Sequence, residues 1–148
     1  MTVTIKDVIR KHADDWRTLK AWGDVDMADV EVTVRNSKKN YSTGRAFEQH
    51  VTGKRRIVVT ATPHDIVDSL GTILHEFAHI VVAEEVHGER WQRVFATAAT
   101  EVTGIHIVQA ASRSELLDRL VYEALEVWWA RSSYSFAWRL IAAKKGSR

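Results

Sequence analysis

The sequence predicts an α+β domain with an N-terminal helix, a small three-stranded sheet and further helices toward the C-terminus. Two periodicities support this prediction. Apolar residues recur every three or four positions near the N-terminus and again after about residue 66, as in amphipathic helices. Between these regions, short segments alternate apolar and polar residues, as in half-buried strands. With 148 residues, of which 45% are apolar, the chain is long enough for a single domain over 1–148.

The first helix is expected over 5–22, and three strands follow it. Apolar residues alternate with polar ones over 30–34 and predict the first strand. The segment 36–44 is rich in turn-forming residues and predicts a loop. A weaker second strand is expected over 45–51 and a stronger third strand over 57–61.

The helix after the strands is expected to begin with Thr62 as its N-cap and Pro63 in the first helical position. Its apolar positions continue to Val81, which predicts that most of its surface lies in the core. Three more helices are expected at 91–102, at 116–128 after a capping box from Ser112 to Glu115, and at 134–141.

The composition excludes several classes of site. The chain has no cysteine, which excludes disulfides, thiol nucleophiles and zinc sites built on thiolates. Any metal must therefore bind to His, Asp or Glu. No apolar run approaches the roughly 20 residues of a membrane span, and residues 1–10 lack the apolar block of a secretion signal, so a cytoplasmic location without a membrane partner is expected. A net charge of +2 permits contact with nucleic acid without arguing for it.

The pattern His75-Glu76-Phe77-Ala78-His79, an HExxH motif, lies in the middle of the helix expected to start near Pro63. Residues four apart differ by about 40° around a helix axis, so both imidazoles project from one face and can occupy two corners of a tetrahedral zinc site. Glu76 lies beside them, where it can accept a proton from a water that the metal activates. The pattern predicts two metal ligands and a catalytic base. The alternative is a pair of structural histidines that share this spacing.

A catalytic zinc ion usually has three protein ligands and one open position, so a third ligand is required. On a continuous helix His87 would lie about 12 Å from His79 along the axis, too far to share a metal. The helix must therefore end between them, and Gly88 suits such a turn. His87 competes for this role with Glu101, which would supply a carboxylate from the following helix. The metzincin arrangement is excluded, because residues 80–86 contain neither its third histidine nor its glycine.

These residues resemble the SprT-like zinc metalloproteases, a zincin-clan family that includes the Spartan-type proteases of DNA–protein crosslinks. The resemblance rests on Leu74 to His79 and then on His87-Gly88-Glu89-Arg90-Trp91 ahead of a helix, where the family has a His-Gly pair before an aromatic residue. It extends more weakly to 35–46 and 57–60, and it covers about 28–104.

The resemblance implies a minimal zincin-like domain with a protease core over about 28–104. His75, His79 and His87 would bind Zn²⁺. Glu76 would be the general base of a zinc-dependent endopeptidase that hydrolyses peptide bonds, with DNA-associated proteins as one class of substrate. Many members carry a cysteine zinc ribbon after this core, whereas this chain has no cysteine and continues into a helical, Trp-rich segment over about 112–143.

Two alternative functions stay open at this point. In the first, zinc is structural and the chain is a non-catalytic module that binds nucleic acid or protein. Two basic patches, Lys38-Lys39 and Lys54-Arg55-Arg56, could contact DNA phosphates, although cations also protect an exposed strand edge from pairing. In the second, the chain is a regulatory protease that cleaves a repressor, as HExxH proteins of the ImmA type do. Both protease hypotheses make a protein or peptide the partner.

The other aromatic and histidine residues are weaker candidates. Tyr122 or Tyr134 could donate a hydrogen bond to the oxyanion of a tetrahedral intermediate. Trp128 and Trp129 are expected in the core or on a partner-binding surface rather than on a surface that stacks nucleobases. Ordinary structural or surface roles are expected for His50, His64 and His106.

Overall fold

The computed structural model describes residues 3–49, 51–83, 86–108 and 114–132, and these form the predicted α+β class of fold. The helices are α1 (Ile5–Asp15), α2 (Ile66–Val81), α3 (Glu89–Thr103) and α4 (Ser114–Ala130), and the strands are β1 (Glu31–Asn36), β2 (Gly44–Glu48) and β3 (Arg55–Ala61). The helix expected at 134–141 and the Ser112 end of the expected capping box lie outside the described residues. No described helix is both long enough and apolar enough to cross a bilayer.

The strands form a mixed sheet in the order β1-β3-β2, so the last strand of the sequence lies in its centre. β3 pairs in parallel with β1 and antiparallel with β2. Its alternate residues Ile57, Val59 and Ala61 are fully buried, whereas Val58 and Thr60 are only half-buried. One face of the sheet therefore carries the helices. Among the described strands β2 pairs with β3 alone, and it therefore lies at an edge of this sheet.

The first helix is shorter than predicted, because two tryptophans draw the chain back onto the core. α1 ends at Asp15, and two 3-10 turns follow at Trp16–Thr18 and Lys20–Trp22. Leu19 between them is extended, with ψ at 138°. This bend lets the indole N–H of Trp22 donate to the Trp16 carbonyl oxygen at 2.6 Å while both rings are buried. Burial of the two rings outweighs the helical period of the sequence.

The start of α2 also differs from the prediction. Its N-cap is Asp65, whose carboxylate accepts a hydrogen bond from the Asp68 N–H at 3.2 Å. Thr62 lies in the preceding loop, where its own N–H donates to Ser69 Oγ at 3.1 Å. The prediction of Thr62 as N-cap was therefore wrong, and Pro63 precedes the helix instead of opening it. Both Thr and Asp are good N-cap residues. Here the Thr62 hydroxyl accepts from the His64 N–H at 3.3 Å, in the loop before the helix.

α2 is the central helix of the core, packed between the sheet on one side and α3 and α4 on the other. Leu70, Leu74 and Phe77 on α2 are fully buried, as are Leu117 and Leu125 on α4. A helix enclosed in this way holds the side chains of its remaining face in fixed directions. That face carries the HExxH residues.

The tryptophan pair at the end of α4 lies in the core, as predicted. The rings of Trp128 and Trp129 lie 5.6 and 5.8 Å from the ring of His12, measured between centroids. Trp128 also lies 5.9 Å from Trp16. These contacts join α4 to α1.

Candidate metal centre

Three histidines converge where α2 ends and α3 begins. His75 and His79 lie one turn apart on α2, which ends at Val81, and the chain then turns so that His87 directly precedes Gly88, the N-cap of α3. His87 Nε2 lies 3.1 Å from His75 Nε2 and 3.0 Å from His79 Nε2. The turn thus brings together residues that a continuous helix would separate.

This donor set fits a divalent cation. In tetrahedral coordination with bonds of about 2.0–2.1 Å, two imidazole nitrogens lie about 3.3 Å apart, within a few tenths of an ångström of the separations here. A neutral imidazole nitrogen carries either one proton or one lone pair, so His87 Nε2 cannot satisfy two neighbouring Nε2 atoms by ordinary hydrogen bonds. A cation that accepts all three lone pairs resolves the conflict. The three histidines have ligand atoms within 4.8 Å of one another.

The first turn of α3 packs against the three histidines. The ring of Trp91, which is fully buried, lies 4.6 Å from the ring of His75, 5.1 Å from that of His79 and 4.4 Å from that of His87. Its indole N–H donates to the His75 carbonyl oxygen at 3.4 Å. Gln92 Nε2 donates to the His87 carbonyl oxygen at 2.9 Å, which holds the turn in place. The aromatic residue that follows the His-Gly pair is therefore a packing surface for all three imidazoles.

A carboxylate from α4 reaches the other ring nitrogen of His75. Asp118 Oδ1 lies 3.2 Å from His75 Nδ1. Sequence reasoning did not find Asp118, because it lies 43 positions from His75 and nothing in its local pattern sets it apart from the other acids of α4.

Glu76 is buried beside the histidines. Only 4% of it is exposed, and this burial raises the pKa of its carboxyl group to about 7, with His75 acting in the opposite direction and Asp118 adding to the rise. None of the described residues donates a hydrogen bond to this carboxylate. Gly44, the first residue of β2, passes so close that a Cβ atom there would lie 2.8 Å from Glu76 Cγ and Glu76 Oε2. Gly44 is a second site residue that sequence reasoning missed, since it was assigned only to a loop.

A cleft of about 290 Å³ opens next to Glu76, between the start of β2 and α4. The described residues of its walls include acidic and hydroxyl groups and no lysine or arginine. The Asp68 carboxylate in this cleft accepts from the Ser42 N–H at 2.7 Å, and burial raises its pKa. Tyr122 also lines the cleft, but its hydroxyl donates to Asp65 Oδ2 at 2.5 Å. Residues lining the cleft are Ser42, Gly44, Asp68, Gly71, Thr72, His75, Glu76, Phe95, Asp118, Val121 and Tyr122.

The other candidate residues lie away from the three histidines or outside the described residues. Glu101 is not near the histidines: its two carboxylate oxygens accept from the N–H groups of Lys20 and Ala21 at 2.8 and 2.9 Å. It thereby caps a 3-10 turn, and the alternative of Glu101 as third ligand was wrong. His64 and His106 are exposed and do not belong to the cluster. His50 and Tyr134 lie outside the described residues.

The basic patch at 54–56 is largely neutralised within the molecule. Lys54 and Arg56 lie 2.8 and 3.1 Å from carboxylate oxygens of Glu31, and Arg55 lies 2.8 Å from Asp29 Oδ1. The expectation that these cations protect a strand edge was wrong, because β3 is the central strand. The mixed sheet order brings the acids of the β1 side next to them.

Comparison of the chain with protein-family models, with curated proteins and with solved structures gives no match. The function therefore has to be argued from the geometry of the site. That geometry combines three convergent imidazoles, a buried carboxylate and an adjoining cleft.

Proposed function

We propose that the chain is a zinc-dependent endopeptidase with a minimal zincin-like fold. The observation that carries the proposal is the convergence of three imidazole nitrogens beside a buried glutamate that borders an open cleft. Three imidazole ligands leave a fourth position of a tetrahedral zinc ion free, which is typical of catalytic rather than structural sites. The resemblance to SprT-like proteases implies the same roles for His75, His79, His87 and Glu76.

Each residue has a defined task in peptide hydrolysis. His75, His79 and His87 would hold the ion through Nε2. When bound, zinc supplies a Lewis acid that polarises a carbonyl group and lowers the pKa of water toward about 7. Glu76 would accept a proton from the attacking water and pass it to the leaving amine, since it lies beside two of the ligands on the same helix.

An extended peptide fits the geometry around the cleft. β2 is an edge strand, so one side of its backbone is available for pairing with another strand. Its first residue, Gly44, lies against Glu76 and lines the cleft. A substrate that adds to this edge would therefore pass directly in front of the general base. We infer a protein or peptide substrate bound in extended conformation.

Structural zinc in a binding module is the competing function, and the site favours it less. Structural zinc sites are usually closed by four protein ligands, whereas the cluster found among the described residues contains three. Lys54, Arg55 and Arg56 also pair with the two carboxylates of Glu31 and Asp29, which reduces the positive charge available there for DNA. A repressor-cleaving protease would share the proposed chemistry and differ only in its substrate.

The proposal is tested with Glu76→Gln, which keeps the shape of the side chain and removes its basicity. We expect Glu76→Gln to bind one equivalent of zinc and to cleave casein at least about a hundredfold more slowly than the wild-type chain. Glu123→Gln, on the exposed side of α4, is the matched control and should cleave normally. Equal cleavage by Glu76→Gln and wild type would refute the mechanism. Bound zinc without cleavage in the wild type, together with unfolding on chelation, would indicate a structural metal instead.

A further inference from the structure

We propose that Asp118 is a positioning residue of the metal centre, whose carboxylate keeps the proton of His75 on Nδ1 and so presents Nε2 to the metal. The inference rests on the metal site of the proposed function. It also extends that site into α4, which lies outside the 28–104 region of the family resemblance. α4 would then be part of the metal centre and not an appendage to it.

The two ring nitrogens of His75 face different partners, and this fixes its tautomer. Its Nε2 points to the other two histidines, 3.1 Å from His87 Nε2, and can bind a metal only when it carries no proton. In a neutral imidazole the proton must then lie on Nδ1, where it needs an acceptor. Asp118 Oδ1, at 3.2 Å from Nδ1, is that acceptor. An ionised carboxylate accepts hydrogen bonds and cannot donate them. In a hydrogen bond between His75 Nδ1 and Asp118 Oδ1, the proton therefore lies on Nδ1.

Asp118 places a negative charge next to a cluster of neutral ligands. Three neutral imidazoles contribute no negative charge to the centre, and a carboxylate behind one of them raises the basicity of that ligand. Asp118 is available for this purpose: among the described residues, His75 is the one group with which it forms an ion pair or hydrogen bond. Among the described lysines and arginines, none forms an ion pair with its oxygens.

The part of α4 that carries Asp118 is packed firmly against the core. Asp118 lies between Leu117, which is fully buried, and Val121, which is 1% exposed, so this stretch of α4 is fixed against the core. One turn further along, the Tyr122 hydroxyl donates to Asp65 at the N-terminus of α2. The two contacts join α4 to α2 at His75 and at the N-cap. The carboxylate therefore reaches His75 from a backbone that cannot easily move away.

A purely structural ion pair is the competing explanation, and it predicts something different. The Asp118 side chain is 46% exposed, and pairs of this kind contribute little to stability because water screens them. A pair with only a structural role would leave metal affinity unchanged and change the unfolding temperature of the metal-free protein at most slightly. A positioning residue would change the metal affinity.

The experiment compares Asp118→Ala, Asp118→Asn and the control Glu123→Gln, which removes one carboxylate from an exposed position of the same helix. Zinc affinity is measured by competition with a chelator, and unfolding temperature is measured on the metal-free protein. The proton on the His75 ring is located by long-range ¹H–¹⁵N NMR of the metal-free protein.

We expect Asp118→Ala to bind zinc about 10–100-fold more weakly than wild type and to lose the preference for the Nδ1–H tautomer. Asp118→Asn should lose less, because its amide oxygen still accepts the proton without carrying charge. Glu123→Gln should match wild type, and all unfolding temperatures should agree. Wild-type zinc affinity in Asp118→Ala, or an equal loss in Glu123→Gln, would overturn the inference alone. Failure of the wild-type chain to bind zinc would overturn the proposed function with it.

Discussion

The closeness of Gly44 to Glu76 makes a sharp prediction for the substitution Gly44→Ala. The added Cβ would lie 2.5 Å from Thr72 Cγ2 and 2.8 Å from both Glu76 Cγ and Glu76 Oε2. Ordinary contacts between such atoms are about 3.5–4.0 Å, so β2 and α2 must separate, or Glu76 must turn, by about 1 Å. Overpacking of this kind costs about 1–3 kcal/mol of stability. A displacement of about 1 Å in a catalytic group reduces the rate about a hundredfold.

The assay separates the two effects. Urea unfolding gives the loss of stability, casein cleavage gives the loss of rate, and zinc content should stay at one equivalent because no histidine is touched. Thr72→Ser in the Gly44→Ala background removes the nearest clashing methyl group and keeps the hydroxyl that donates to the Asp68 carbonyl oxygen. We expect this second change to restore part of the stability and little of the rate, since Glu76 stays displaced. Wild-type stability and wild-type cleavage in Gly44→Ala would refute the close contact between β2 and Glu76.

Two further predictions follow from the site and the core. His87→Ala should lose tight zinc binding, measured by chelator competition, and full zinc occupancy in this variant would contradict the ligand set. Glu101→Gln should keep the metal and unfold at a lower urea concentration, because the Glu101 carboxylate caps the turn at Lys20–Trp22. Burial lowers the pKa of His12 from its ordinary value of 6.5, although its hydrogen bond to Val8 opposes the shift. Below about pH 6.5 the unfolded chain gains a proton that the folded chain does not, so the free energy of unfolding should fall until His12 also protonates in the fold. His12→Gln should flatten this part of the curve of stability against pH, and an unchanged slope would count against a buried neutral His12.

Much of the secondary structure could be predicted from the sequence because it depends on local spacing. The alternation over 30–34 and 57–61 predicted β1 and β3, and the helical period predicted α2, α3 and α4. The errors occurred at the ends of helices. α1 stops at Asp15 because Trp16 and Trp22 turn into the core, which is a tertiary effect. α2 begins after Asp65 because its carboxylate caps the Asp68 N–H, and Thr62 and Asp65 are both suitable N-cap residues by local preference.

The candidate site divides in the same way. The sequence alone determined that His75, Glu76 and His79 share one helix, because a spacing of four residues is close to one helical turn. It also showed that His87 could join them only if that helix ended. The tertiary structure decided that the chain turns at Val81 to bring His87 back, that Gly44 lies over Glu76, and that Asp118 stands behind His75. These contacts join residues from separate elements, and the packing of the elements against one core, rather than any local pattern, sets their distances.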